Sequence, residues 1–255
     1  MGFEYVEIPI EDPGLIEGTT VKKALDDHAL KPIVCGAFGP SRDLTSEDPS
    51  LHHNCFEYLN KCFDLSLKLG ADFVAGPMYS AVGKARLLPP AERQKEWNMA
   101  VENLRKVAEA AEANGLKLAI EALNRFETDL VNTTEDLVKL IRDIDHPAAR
   151  VLLDSFHMTI EERSLIEAIR TAGDLLIHVQ VSENYRGAPG TGQTRWDEIK
   201  TGLEEVGYDG VVSIESFTPE VKELAGAVCI WKPFSASQDQ FAKDGIRFLK
   251  ELFES

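Results

Sequence analysis

Short apolar runs alternate along the chain with longer segments whose apolar residues recur every three or four positions. The short runs predict buried strands at residues 3–8, 33–37, 73–75, 116–122, 150–154, 175–181 and 211–215. The amphipathic stretches between them predict helices at 19–28, 49–69, 89–114, 196–206 and 238–253. In the longest of these, Trp97, Val101, Leu104, Ala108 and Ala111 share one stripe, and Gly115 follows as a stop signal. Two further helices are expected to open at capping boxes, one at Thr133 with Asp136 and one at Thr159 with Glu162.

Strands separated by helices imply parallel strands joined by right-handed crossovers. No glycine-rich dinucleotide fingerprint follows the first strand, which argues against a doubly wound nucleotide-binding fold. Polar residues stand instead at the C-terminal ends of several different strands, as in a (β/α)8 TIM barrel whose site is built on one face. The expectation is a single α/β TIM-barrel domain over residues 1–255. Only seven strands can be counted, so the first βα unit is expected to be missing from this chain. A seam should then separate the strand at 3–8 from the strand at 211–215.

Composition narrows the partners. Hydrophobic residues make up 44% of the 255 positions, enough for a sizeable core. Asp and Glu outnumber Lys and Arg by 43 to 27, for a formal net charge of −16. Such a chain repels phosphate backbones and anionic lipid, so neither nucleic acid nor a membrane is an expected partner. The four cysteines form no CxxC pair and read as reduced thiols of a cytoplasmic protein. No apolar run reaches transmembrane length, and the first residues lack the pattern of a signal peptide.

The candidate chemistry lies at strand ends. Glu121, Asp154 and Glu215 each close an apolar strand, and His157 follows Asp154 by three residues. One such acid alone reads as a solvated strand exit. Three converging on one barrel mouth raise each other's pKa values unless a cation neutralises them. A hard divalent ion, magnesium or manganese, suits the carboxylate oxygens. The strand IHVQVSENYRG turns His178, Gln180 and Ser182 to one face and Val179 and Val181 to the other, so any of the three could add a ligand. Glu7 reads as a structural acid bonded inside the barrel. The glycines of RGAPGTG read as a turn-rich loop over the mouth rather than a phosphate cradle.

Taken together, GFEYVEIP, GPMYSAVGK, IEALNRFET, LLDSFHMTIEE, HVQVSENYRGAPGTGQTRW and IESF resemble the D-tagatose 3-epimerase (D-psicose or allulose 3-epimerase) family of the xylose-isomerase-like TIM-barrel superfamily. The resemblance implies that Glu121, Asp154, Gln180 and Glu215 bind a divalent metal, Mn2+ or Mg2+ with Co2+ as a third candidate. Gln180 aligns with a position that is usually histidine in the family. It further implies that Glu121 and Glu215 are the acid–base pair inverting C3 of a free ketose through an enediolate, and that Glu127, His157 and Arg186 hold substrate oxygens. The partner is then a small sugar, and the family's habit implies a homo-oligomer. An isomerase, epimerase or lyase acting on a keto-sugar acid or 3-keto sugar would use the same metal and glutamates. A DNA-repair endonuclease of the superfamily would need a His-rich trinuclear zinc site and a basic face, and six histidines with a charge of −16 do not supply them.

Overall fold

The computed structural model describes residues 1–254. Strands β1 (Tyr5–Ile10), β2 (Lys31–Gly36), β3 (Phe73–Gly76), β4 (Lys117–Glu121), β5 (Ala149–Asp154), β6 (Leu176–Val181) and β7 (Val211–Ile214) form one parallel sheet in chain order. Around it pack α1 (Gly18–Asp27), α2 (Pro49–Leu69), α3 (Pro90–Ala113), α4 (Thr134–Ile144), α5 (Ser155–Glu161), α6 (Leu165–Ala172), α7 (Trp196–Glu205), α8 (Lys222–Ala227) and α9 (Gln238–Glu254). The architecture is a TIM barrel of seven strands, curled nearly closed.

The period-2 alternation of each strand sorts the two faces. On β1, Val6, Ile8 and Ile10 face the helices, while Tyr5 and Glu7 point into the barrel. On β7, Val212 and Ile214 face out and Val211 and Ser213 face in. The interior below the mouth is filled by Ile33, Ala75, Ala119 and Leu152, with Tyr5, Cys35, Phe73, Ile177 and Val211 packed against them. Strands β1 and β7 are the two edges of the sheet, near each other but without ladder pairing, which leaves the seam that the strand count implies.

Helix boundaries follow local chemistry. The α2 helix opens where Asp48 Oδ1 accepts from the Ser50 N–H at 2.9 Å and ends at Gly70, whose φ of 87° suits glycine. The capping box of Thr133 and Asp136 forms at the start of α4 as expected. The second capping box does not form. Asp154 caps α5 directly from the end of β5, and Ser164 caps α6. Thr159 therefore lies inside α5, its hydroxyl donating back to the Ser155 carbonyl at 2.6 Å, while the Glu162 carboxylate accepts from the Thr134 N–H. Among the described residues, no helix is long and apolar enough to cross a membrane.

Leu152 is fully buried in this inner layer. Leu152→Ala is expected to destabilise the protein by about 2–5 kcal/mol, seen as a lower urea midpoint at unchanged m-value. A loss well under this range would show that the inner layer repacks.

Candidate active site

The three strand-end acids meet as their pattern suggests. Glu121 closes β4, Asp154 closes β5, and Glu215 follows β7, where its N–H donates to the Val181 carbonyl at 3.0 Å. Burial pushes the Glu121 carboxyl well above the usual carboxylate range, and the nearby Glu215 and Asp154 push it the same way. Burial also raises Asp154, against the opposing pull of Arg186. Glu215 is pushed up to about 8 by burial, with Asp154, Glu7 and Glu127 adding to the rise and Arg186 opposing it. Ligand atoms of Glu121, Asp154 and His157 lie within 4.8 Å of one another, a spacing that can hold a metal ion.

His157 is buried, and a donor faces each of its ring nitrogens. Nδ1 accepts from the Asn124 backbone N–H at 3.0 Å, and Nε2 lies 3.3 Å from Arg186 Nη2. Nε2 also lies 3.5 Å from Glu121 Oε1 and 3.6 Å from Asp154 Oδ2. Burial and the adjacent Arg186 hold the imidazole well below its ordinary pKa, which keeps it neutral. Glu127 stands half-buried in the loop after β4, accepts from Asn124 Nδ2 at 2.7 Å, and is raised by burial.

Arg186 is buried among the acids. Its Nη1 donates to Asp154 Oδ2 at 2.8 Å and also to Glu215, and Nη2 lies 3.3 Å from His157 Nε2. The guanidinium lies 3.9 Å from the ring centroid of Phe156 and 5.1 Å from that of Phe217. Burial works against its charge, but Glu215, Asp154, Glu127 and Glu121 outweigh that and stabilise the cation. Its backbone has φ 63°, a left-handed conformation that a non-glycine residue holds only when its surroundings impose it.

The residue that imposes it is Glu183, which inspection of the sequence did not single out. Arg186 N–H donates to the Glu183 carbonyl and Glu183 N–H to the Gly187 carbonyl, closing a tight turn. The buried Glu183 carboxylate then accepts from Gly190 N and Trp196 Nε1 at 2.8 Å each and from Thr194 N at 3.0 Å. These bonds outweigh burial and hold its pKa below the usual value. A Cβ at Gly192 would stand 2.6 Å from Glu183 Oε2 and Asn184 Oδ1, so only glycine closes the loop this tightly. The loop thus spends its N–H groups on an internal carboxylate rather than on a phosphate. The SENYR stretch followed by a glycine-rich turn was the available signal for an anchored loop.

On β6, His178 and Gln180 occupy different depths. Gln180 shares a layer with Asp154 and Ser213, whereas His178 pairs with Leu152 and Val211 one layer lower. His178 Nε2 and Gln180 Nε2 both turn to Glu7, at 3.0 and 2.6 Å. Glu7 is therefore bonded inside the barrel. Gln180 Oε1 is buried without a hydrogen-bond partner, as are His178 Nδ1 and Ser182 Oγ. A buried amide oxygen without a donor, beside carboxyls whose charges raise one another, fits a hard divalent cation.

The family model of xylose isomerase-like TIM barrels matches residues 1–252. An L-ribulose 3-epimerase of Methylomonas sp. (strain DH-1) is 30% identical over 254 residues, covering 99% of this chain and 88% of that protein. A D-psicose 3-epimerase of Ruminiclostridium cellulolyticum is 35% identical over 247 residues, covering 94% and 83%. The crystal structure of a D-allulose 3-epimerase from Methylomonas sp. superposes with a TM-score of 0.93 at 30% identity, covering 98% of this chain and 87% of that one. The same enzyme in complex with D-allulose gives 0.92 at 29% identity, covering 98% and 86%. By the family model and by relatives at this identity and coverage, the chain belongs to the xylose isomerase-like TIM-barrel family, among its ketose 3-epimerases.

Proposed function

We propose that the protein inverts C3 of a free ketose by metal-assisted proton transfer between two glutamates. The observation that carries this reading is the pair Glu121 and Glu215, which enter one mouth from β4 and β7 with β5 and β6 between them. A carboxylate can take a proton as a base and, once protonated, a carboxyl can return one as an acid. Inversion needs one such group on each face of the carbon. Glu121 and Glu215 would take and return the C3 proton.

Glu121, Asp154, Gln180 and Glu215 would hold the divalent ion, manganese or magnesium in preference to cobalt, since all four offer oxygen. When bound, that ion supplies Lewis-acid stabilisation of the negative charge that develops as the C3 proton leaves. His157 is read as a substrate contact and not as a ligand, with its Nδ1 already accepting the Asn124 backbone N–H. Its Nε2 edge and the Arg186 guanidinium, 3.3 Å apart, would together hold substrate oxygens. Glu127, on the same side of the mouth, would accept from a substrate hydroxyl. The partly exposed edge strands β1 and β7 support a homo-oligomer, and the free cysteines support a cytoplasmic setting.

Three outcomes test the roles. Glu121→Gln and Glu215→Gln should each lower the rate of deuterium incorporation at C3, followed by NMR across a panel of ketoses in D2O, by about 10²–10⁴-fold. Near-parental exchange in either variant would sink the two-carboxylate mechanism. Arg186→Ala should raise KM while Mn2+ content is retained, and loss of metal would assign Arg186 to the metal site instead. Glu183→Ala leaves two buried donors, Thr194 N and Trp196 Nε1, unpaired and should cost more than about 2 kcal/mol in urea melts. It should also raise KM through the displaced Arg186, with Glu183→Gln recovering part of both effects. An unchanged KM would separate the loop anchor from the substrate seat.

A further inference from the structure

Glu7 lies on β1, across the seam from β6 and β7, and its carboxylate reaches both. Oε2 accepts from the Ser213 hydroxyl at 2.6 Å and from His178 Nε2 at 3.0 Å. Oε1 is left for Gln180 Nε2 at 2.6 Å. Two donors on one oxygen fix the rotation of the carboxylate, and an ionised carboxylate has no hydrogen to donate. The amide of Gln180 therefore has one stable orientation. Its NH2 must face Glu7, because the reverse would press two acceptor oxygens together. Its oxygen then has no protein donor and points away from Glu7, in the layer shared with Asp154.

We infer that Glu7 is a positioning residue that turns the Gln180 carboxamide so that its oxygen, and not its nitrogen, is presented to the metal. The inference rests on the reading of Gln180 as a ligand. It explains how a glutamine serves at this position: an amide has one donor end and one acceptor end, and an acceptor-only neighbour takes the NH2 and leaves the oxygen free. A neutral amide at position 7 could either donate or accept, and would let the Gln180 side chain flip. Ligand-orienting groups of this kind change metal affinity more than they change the fold.

The test is Mn2+ binding by titration calorimetry on EDTA-stripped protein, with circular dichroism and thermal melts as the check on folding. Glu7→Gln is expected to weaken Mn2+ binding by about 10–100-fold. The double variant Glu7→Gln/Gln180→Glu exchanges donor and acceptor between the two positions, so the introduced amide donates to the introduced carboxylate. It should restore Mn2+ affinity to within a few-fold of the parent, a coupling that mere loss of stability would not produce. Gln180→Leu should lose affinity as well. If Gln180→Leu loses Mn2+ affinity but Glu7→Gln does not, the inference is overturned while the ligand reading stands. If Gln180→Leu binds like the parent, Gln180 is not a ligand and the inference falls with that reading. Should Glu7→Gln fail to fold, the double variant is compared with Gln180→Glu alone: tighter Mn2+ binding by the double variant supports the inference, and equal binding overturns it.

Discussion

The crowding of Glu121, Asp154 and Glu215 in one buried mouth is the constraint that the surrounding residues answer. Two like charges about 4 Å apart repel by about 4 kcal/mol at the effective dielectric of a protein site, before desolvation is counted. Arg186 sets a guanidinium between Asp154 and Glu215, and Phe156 and Phe217 hold that guanidinium against their rings. Burial keeps the three carboxyls raised, and one cation against several acids does not offset it. The arm that carries this cation is a strained turn, and Glu183 fastens it from beneath.

Two classes of buried carboxylate coexist in the barrel, and the direction of their pKa separates them. Glu7 and Glu183 are held below the usual range although burial opposes it, because N–H and O–H donors surround each one. Glu121, Asp154 and Glu215 are held above it chiefly by burial, which the Arg186 cation opposes at each without overcoming. The first class is finished by the protein itself. It ties β1 to β6 and β7 across the seam and ties the loop to the start of α7. The second class is left for a ligand to complete, the usual condition of reactive groups.

The seam shows why the internal acids matter to the fold as well. A closed barrel ties its first strand to its last by a ladder of backbone bonds. Here β1 and β7 have no such ladder, and polar side chains join them inside the barrel through Glu7. Deformation at the seam would therefore be felt at Gln180, two residues along β6 from His178, with no backbone ladder to absorb it.

Periodicity alone determined the order of the seven strands, the α2 span from Pro49 to Leu69, the inward face of β6, and the three acids at strand ends. These features are local: a period of 2 or 3.6 records which face is apolar, and an acid after an apolar run records where a strand leaves the core. The start of α5 departs from the sequence pattern because Thr159 and Glu162 fit a capping box, whereas Asp154 and Ser164 supply the caps of α5 and α6. The work of Glu183 depends on donors in a loop that folds back on it, and the placing of Arg186 depends on Asp154, 32 residues earlier. Glu7 meets His178 and Ser213 across 171 and 206 positions. Such pairings were decided by tertiary structure only, because alternation says that two polar side chains point into the barrel, and barrel curvature says which of them touch.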